Sequence, residues 1–231
     1  MSISEEIIKV EENYRSKYKE HGYSPMSLGW DKGKQQIRFD ILTSQYDFTE
    51  KSVLDIGCGF GDLNETLKKY KNYSYFGIDL VEEFINEAKT LYGKKDNIVF
   101  EYGDFLNKEF SRTFDYAILS GAFNLKFSSV DNYDFVKRVM SKTYELTNDG
   151  FAFDFLSDKV DYKLEHTFHY NPSRILEDAY KYSRNVVLRN DYMPFEFCVF
   201  VFKDDSFTKD DTMFNRYKNL YCNKTKGKIC K

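Results

Sequence analysis

The feature that most constrains this chain is one corner, Val53-Leu54-Asp55-Ile56-Gly57-Cys58-Gly59-Phe60-Gly61-Asp62. A short apolar run ends in three glycines at alternate positions, and a helical pattern follows over 62–70. Glycine lets the backbone take positive φ and pass close to a ligand. The spacing also selects the ligand. A dinucleotide fingerprint, G-x-G-x-x-G, would need glycine at 62, where this chain has Asp62. A carboxylate at a helix start opposes a pyrophosphate, which would occupy that same N-terminus. The expected ligand therefore carries no phosphate at the corner.

The flanking pattern places this corner in an alternating α/β chain. Further strands read at 75–79, 97–104, 114–120 and 150–156, with helices at 81–92, 130–146 and 173–182. Alternation of this kind means a parallel sheet with right-handed crossovers. Two last strands, 185–189 and 195–202, are joined by about five residues, too few for a parallel crossover, so one of them runs antiparallel. Before the corner, residues 2–20 read as a helix with a Ser2/Glu5 capping box and an apolar stripe of Ile3, Ile7, Val10, Tyr14 and Tyr18. A turn-rich stretch carries the only tryptophan, Trp30, and 34–46 reads as a second helix. The expected organisation is an N-terminal helical cap over 1–46, an α/β domain over 47–204 and a polar tail over 205–231.

Composition narrows the partners. With 34 Lys+Arg against 37 Asp+Glu the net charge is −3, which disfavours a protein that coats nucleic acid. The longest apolar run, Phe197–Phe202, is far short of the ~20 residues a spanning helix needs. The N-terminus lacks the basic and apolar regions of a secretory signal. The four cysteines (Cys58, Cys198, Cys222, Cys230) form no metal-like pair and read as reduced thiols, so a cytoplasmic location is expected and no metal. Aromatics reach 18%, which reflects either a genome-wide bias or an aromatic-lined pocket.

Acidic residues close the second and third strands. Asp79 can accept two hydrogen bonds from a ribose diol, with Leu80 beside it to cover a base. Asp104, followed by Phe105, can accept from an exocyclic amine. Ligands in open α/β sheets bind at this carboxyl edge.

With these residues together the chain resembles the class I, Rossmann-like S-adenosylmethionine-dependent methyltransferases of the small-molecule type. The likeness covers about 52–156. VLDIGCGFG resembles the first family motif, GIDLVEEFINEAK the second, EYGDFLN the third and FDYAILSGAFN the fourth. It implies an α/β three-layer sandwich whose mostly parallel seven-stranded sheet has an antiparallel last strand. It implies S-adenosylmethionine as cofactor and S-adenosylhomocysteine as product. Asp55 and the loop Gly57, Cys58, Gly59 and Gly61 would meet the methionine part, Asp79 and Leu80 the ribose and base, Asp104 and Phe105 the adenine, and Ser120 and Gly121 the region beside the sulfonium. Arg38 falls between Ile41 and Leu42 on the inward side of its helix, where a guanidinium needs an anion. With Trp30 it is similar to a tryptophan–arginine pair that holds the cofactor carboxylate in some members. A protein carboxylate is the alternative partner.

The loops after the fourth and fifth strands, and the link into the seventh, open on the same edge. They bring forward Asn124, Lys126, Tyr170, Tyr192, Met193, Pro194 and Phe195 as substrate contacts. His169 and His166 are candidate bases, with Glu196 and Asp154 as weaker ones. The sequence SGAF differs from the DPPY-like tetrapeptide of adenine-amino methyltransferases, and there is no Pro-Cys nucleophile for cytosine chemistry. The expected reaction is methyl transfer to a hydroxyl or amine of a small polar metabolite, such as a sugar or natural-product intermediate. The alternatives are an RNA or protein methyltransferase gripping through the 203–231 tail, an NAD-dependent oxidoreductase of similar topology, and a silent binder. Oligomeric state is not readable.

Overall fold

The computed structural model describes residues 3–29 and 34–205. Seven strands form one sheet in the order β3-β2-β1-β4-β5-β7-β6. They are β1 Ser52–Ile56, β2 Ser74–Asp79, β3 Ile98–Tyr102, β4 Phe114–Leu119, β5 Thr147–Leu156, β6 Val186–Arg189 and β7 Glu196–Phe202. The first five run parallel, while β7 lies between β5 and β6 and is antiparallel to both, as the short last connection requires. The helices are α1 Ile3–His21, α2 Gln35–Leu42, α3 Leu63–Leu67, α4 Glu82–Tyr92, α5 Asn132–Leu146 and α6 Pro172–Ala179, with a 3-10 turn at Pro25–Leu28. Among the described residues no helix is long and apolar enough to cross a membrane. Cys58 and Cys198 are free thiols, and among the described residues no cluster could hold a metal. Cys222 and Cys230, Trp30 and the polar tail from 206 lie outside the described residues.

Strand order reverses between β1 and β4, and that reversal opens the crevice where an open α/β sheet binds its ligand. Central strands are buried on both faces, as parallel strands covered by helices must be. Rings fill the layer on one side: Phe123 stacks on Phe155 at 5.1 Å, and Phe155 on Phe197 at 5.2 Å.

Helix α2 is shorter than its apolar pattern suggests. It stops at Leu42, where Thr43 donates its hydroxyl back to Phe39 O at 2.8 Å. Tyr46 then leaves the helix and donates to Phe151 O at 2.6 Å in the core. Strand β5 starts earlier than expected, directly after α5. The stretch Thr147-Asn148-Asp149 reads as a turn but is recruited by β4, with a register shift between Phe114 and Tyr116.

Candidate functional site

The corner after β1 is built as the glycines demand. Gly59 has φ +54° and Gly61 φ +79°, and a Cβ on Gly61 would come within 2.6 Å of the Phe100 ring. A Cβ on Gly59 would lie 2.9 Å from Leu28 of the 3-10 turn, so the cap is seated directly on this loop. Four of the loop's amides, those of its glycines and Cys58, are already taken by the protein. Gly57 N and Cys58 N donate to Ile78 O at 2.8 and 3.1 Å, Gly61 N donates to Cys58 O at 2.9 Å, and Gly59 N donates to Asp79 Oδ2 at 2.8 Å. A phosphate-cradling loop instead points such amides at its ligand.

Above this corner, at the carboxyl ends of β1 to β4, lies a cavity of about 130 Å³. Ten of the expected cofactor residues line it: Asp55, Gly57, Cys58 and Gly59 from the first corner, Asp79 and Leu80 from the second, Asp104 and Phe105 from the third, and Ser120 and Gly121 from the fourth. Gly61 is not among them; it packs behind the corner against Phe100.

Three carboxylates set the cavity's electrostatics. Asp79 accepts Gly59 N on one oxygen and Val81 N on the other, at 2.8 and 2.9 Å. The Leu80 amide also supports this carboxylate, whose acceptor-only oxygens suit a vicinal diol. Burial pushes Asp79 up to about 6, against the pull of its backbone amides. Asp55 accepts the Tyr75 hydroxyl at 2.6 Å, and burial, aided by the charges of Asp79 and Asp62, pushes it up to about 7. Asp104 accepts Leu106 N at 2.9 Å and Asn107 Nδ2 at 2.6 Å, so it shapes its own turn as well as facing the cavity. The opposite wall is apolar, with Leu106, Phe135 and Val139 beside Phe105, suited to a flat heteroaromatic ring. The residues present fit an adenosyl group joined to an amino-acid tail.

The cap supplies residues that the motifs did not reveal. Ile7, Val10 and Tyr14 of α1, Leu28 of the 3-10 turn, and Gln35 and Phe39 of α2 all line the cavity. The α1 stripe was visible in the sequence, but a stripe facing a cavity and a stripe facing a core have the same period. Burial and the Asp79 charge push the Tyr14 hydroxyl up to about 12, so it stays protonated. Helix α1 is pinned at both ends. Glu6 accepts the Ser128 hydroxyl at 2.7 Å, while Tyr18 donates to Glu87 at 2.6 Å and Arg15 pairs with Glu83 at 3.1 Å.

Several expected site residues do other work. The Arg38 guanidinium makes a bidentate pair with Glu196, its Nε lying 2.7 Å from Oε2 and its Nη2 bonding Oε1. The inward direction read from the helix stands, and a protein carboxylate occupies the guanidinium; this also removes Glu196 as a ready base. His169 is held at both nitrogens, Nδ1 by Ser157 O at 2.7 Å and Nε2 by the Thr167 hydroxyl at 3.1 Å. His166 is exposed, and its carbonyl accepts Lys126 N at 3.0 Å. Tyr170 is fully buried and donates to Phe123 O at 3.1 Å, which makes it a core residue and not part of a substrate wall. Asn124 and Tyr192 are half-buried, and neither lines this cavity. Around the link into β7, Met193 is buried and Pro194 exposed, and the Phe195 ring lies 4.6 Å from Lys34 Nζ. Asp154 is buried beneath the Ser120–Gly121 wall, accepting the Ser120 hydroxyl at 2.6 Å and Gly121 N at 2.7 Å.

Residues 53–150 match the family model of the methyltransferase domain. No curated protein sequence matches the chain. Among solved structures, magnesium protoporphyrin IX methyltransferase of Synechocystis PCC 6803 with bound S-adenosylhomocysteine is similar, with a TM-score of 0.60 at 12% identity over 84% of this chain and 94% of that one. The N-methyltransferase NodS of Bradyrhizobium japonicum WM9, also holding S-adenosylhomocysteine, gives 0.61 at 14% over 83% and 98%. Human N-acetylserotonin methyltransferase with S-adenosylmethionine gives 0.61 at 14% over 84% and 59%. At these identities the likeness establishes the fold.

Proposed function

We propose, with residues 53–150 matching the methyltransferase-domain model, that the chain is a class I methyltransferase that transfers a methyl group from S-adenosylmethionine to a hydroxyl or amine of a small polar molecule. The observation that carries this reading is the first corner. The amides of Gly57, Cys58, Gly59 and Gly61 are spent on the protein, which disfavours a diphosphate cradle, while Asp55 and Asp79 beside them favour a cationic nucleoside. That same observation weighs against a nicotinamide dinucleotide.

Bound S-adenosylmethionine supplies an already activated methyl on a sulfonium. The chain's own task is to hold, align and keep dry. Asp79 takes the ribose diol, and Leu80, Phe105 and Leu106 enclose the adenine. Ser120, Gly121, Gln35 and Phe39 surround the opposite end. Helix α1 and the 3-10 turn wall the cavity on its cap side with the apolar surfaces of Tyr14 and Leu28. A general base is needed only where the acceptor must lose a proton. The enclosing cap supports a small acceptor over a macromolecular one. The names of the magnesium protoporphyrin IX and N-acetylserotonin enzymes point the same way.

Calorimetric titration with S-adenosylhomocysteine and with NAD tests the cofactor. Binding of S-adenosylhomocysteine alone is expected, and binding of NAD alone would overturn the reading. Transfer of a labelled methyl to a panel of sugars, amines and phenols then identifies the acceptor class. Labelling of RNA or protein only would refute the small-molecule assignment.

A further inference from the structure

Asp154 stands where two systems meet. Its residue is 2% exposed near the end of β5, and it faces Arg38, the guanidinium of the Glu196 pair. On its other side it takes the Ser120 hydroxyl on Oδ2 at 2.6 Å and Gly121 N on Oδ1 at 2.7 Å. Ser120 and Gly121 both line the cavity, whereas Asp154 does not.

The direction of these bonds matters. An ionised carboxylate only accepts, so the single proton of the Ser120 hydroxyl points at Asp154 and the oxygen's lone pairs are left for the cavity. The Gly121 amide is spent on the same carboxylate. Burial pushes the Asp154 carboxyl up, and nearby Arg38 and the Ser120 and Gly121 bonds oppose that push. The Ser120 hydroxyl and the Gly121 amide thus offer this end of the cavity, shared with Asp55, an acceptor and no donor. Strand order fixes which part of a ligand meets it. Asp104 and Asp79 close β3 and β2, so a nucleoside spanning them leaves its tail toward β1 and β4, at Asp55 and Ser120. A carboxylate is poorly received by Ser120 and Asp55; an ammonium, with three donors, is well received. A sulfonium has no N–H and gains no hydrogen bond.

We propose that Asp154 is a positioning residue that fixes the Ser120 hydroxyl as an acceptor, and that Ser120 Oγ takes the α-ammonium of the cofactor's amino-acid tail. This rests on the methyltransferase reading above and adds to it a residue-level rule for the tail.

The test uses two ligands, S-adenosylhomocysteine and its analogue lacking the α-amino group, titrated calorimetrically into wild type, Ser120→Ala and Asp154→Asn. Ser120→Ala removes the acceptor and leaves the Arg38 cluster intact. Asp154→Asn offers the hydroxyl an N–H, which turns the Ser120 proton toward the cavity. Both variants should bind S-adenosylhomocysteine about tenfold or more weakly, the scale of a hydrogen bond to a charged group. Both should bind the desamino analogue within about threefold of wild type. Equal weakening for both ligands would reduce Asp154 to a structural role and overturn the proposal. So would an unchanged S-adenosylhomocysteine affinity in Ser120→Ala. If Asp154→Asn does not fold, the Ser120→Ala pair of titrations still decides the ammonium assignment, and Asp154→Glu, which keeps the charge, replaces it as the positioning variant and should retain more of the affinity than Ser120→Ala does. Wild type that binds neither ligand would overturn the methyltransferase reading itself, a result distinct from selective failure of the variants.

Discussion

Two pairs of carboxylates flank the crevice, all buried except the half-buried Asp79, and their surroundings differ. Asp55 and Asp79, at the ends of β1 and β2, are held by a tyrosine hydroxyl and backbone amides. Among the described residues no lysine or arginine forms an ion pair with either. Burial drives both upward, to about 7 and about 6. Asp154 and Glu196, on β5 and β7, are also driven upward by burial, but Arg38 opposes the shift in each. Similar acids thus have different uses. Where the protein supplies the cation, the cluster ties α2 to the sheet. Where it does not, the charge deficit faces the cavity, and a cationic ligand is what relieves it.

The hardest blow to this contrast falls on the resident cation. Arg38→Met leaves two carboxylates buried without their partner and should cost about 3–5 kcal/mol of stability, read from urea unfolding. A loss below about 1 kcal/mol would mean that the β5–β7 pair is no more dependent on a cation than the β1–β2 pair. On the other side, Asp79→Ala should leave a folded protein whose affinity for S-adenosylhomocysteine falls by about 1.5–3 kcal/mol. An unaltered dissociation constant in calorimetry would remove Asp79 from the ligand.

Acidity sharpens the same contrast. Asp55 and Asp79 bind protons more tightly folded than unfolded, where an aspartate titrates near 3.9. Their ionisation in the folded state therefore costs stability as pH rises from about 4 through 6 and 7. Ligand-free protein should lose stability across that window, and Asp55→Asn should flatten the fall. S-adenosylhomocysteine should bind more tightly at pH 8 than at pH 5, because its ammonium favours the ionised acids. Thermal melts across that range, with and without ligand, measure both slopes, and a ligand-free curve that rises with pH in both proteins would refute the assignment.

The sheet and the first corner were legible because they leave chemical traces: alternation of strands and helices, and glycine where only glycine fits. The five-residue final link made the antiparallel β7 readable in the same way. Inward placement of Arg38 followed from helical spacing, but its partner did not, since Glu196 is 158 positions away and only the closed sheet brings it near. His169 stood out as the residue type suited to a base, yet its ring is bound by Ser157 O and Thr167, contacts set by how the 157–170 connection folds back. Tyr14, Leu28 and Phe39 were not readable as cavity residues because a cavity wall and a core share one apolar pattern. Asp154 was read as a weaker candidate base; its bonds to Ser120 and Gly121 depend on the pairing of β4 with β5.

A fifth acid separates burial from charge pairing. Glu6 on α1 is 3% exposed, yet hydrogen bonds from the Ser129 and Ser128 hydroxyls hold it down at about 2. Its sign is opposite to that of Asp55. The folded carboxylate is the poorer proton acceptor, so its contribution is present above about 4.5, the usual glutamate range, and is lost as pH falls toward 2. Glu6→Gln should cost on the order of 1 kcal/mol at neutral pH, the smallest effect considered, and should flatten the acid limb while leaving the slope between pH 4 and 7 in place. The two limbs would then belong to different residues: the acid limb to the latch that holds α1 over the cavity, the higher one to the acids beneath it. If Glu6→Gln moved both limbs together, α1 and the cavity floor would be one titrating unit, and the division between a resident-cation side and a ligand side would have to be redrawn around the cap.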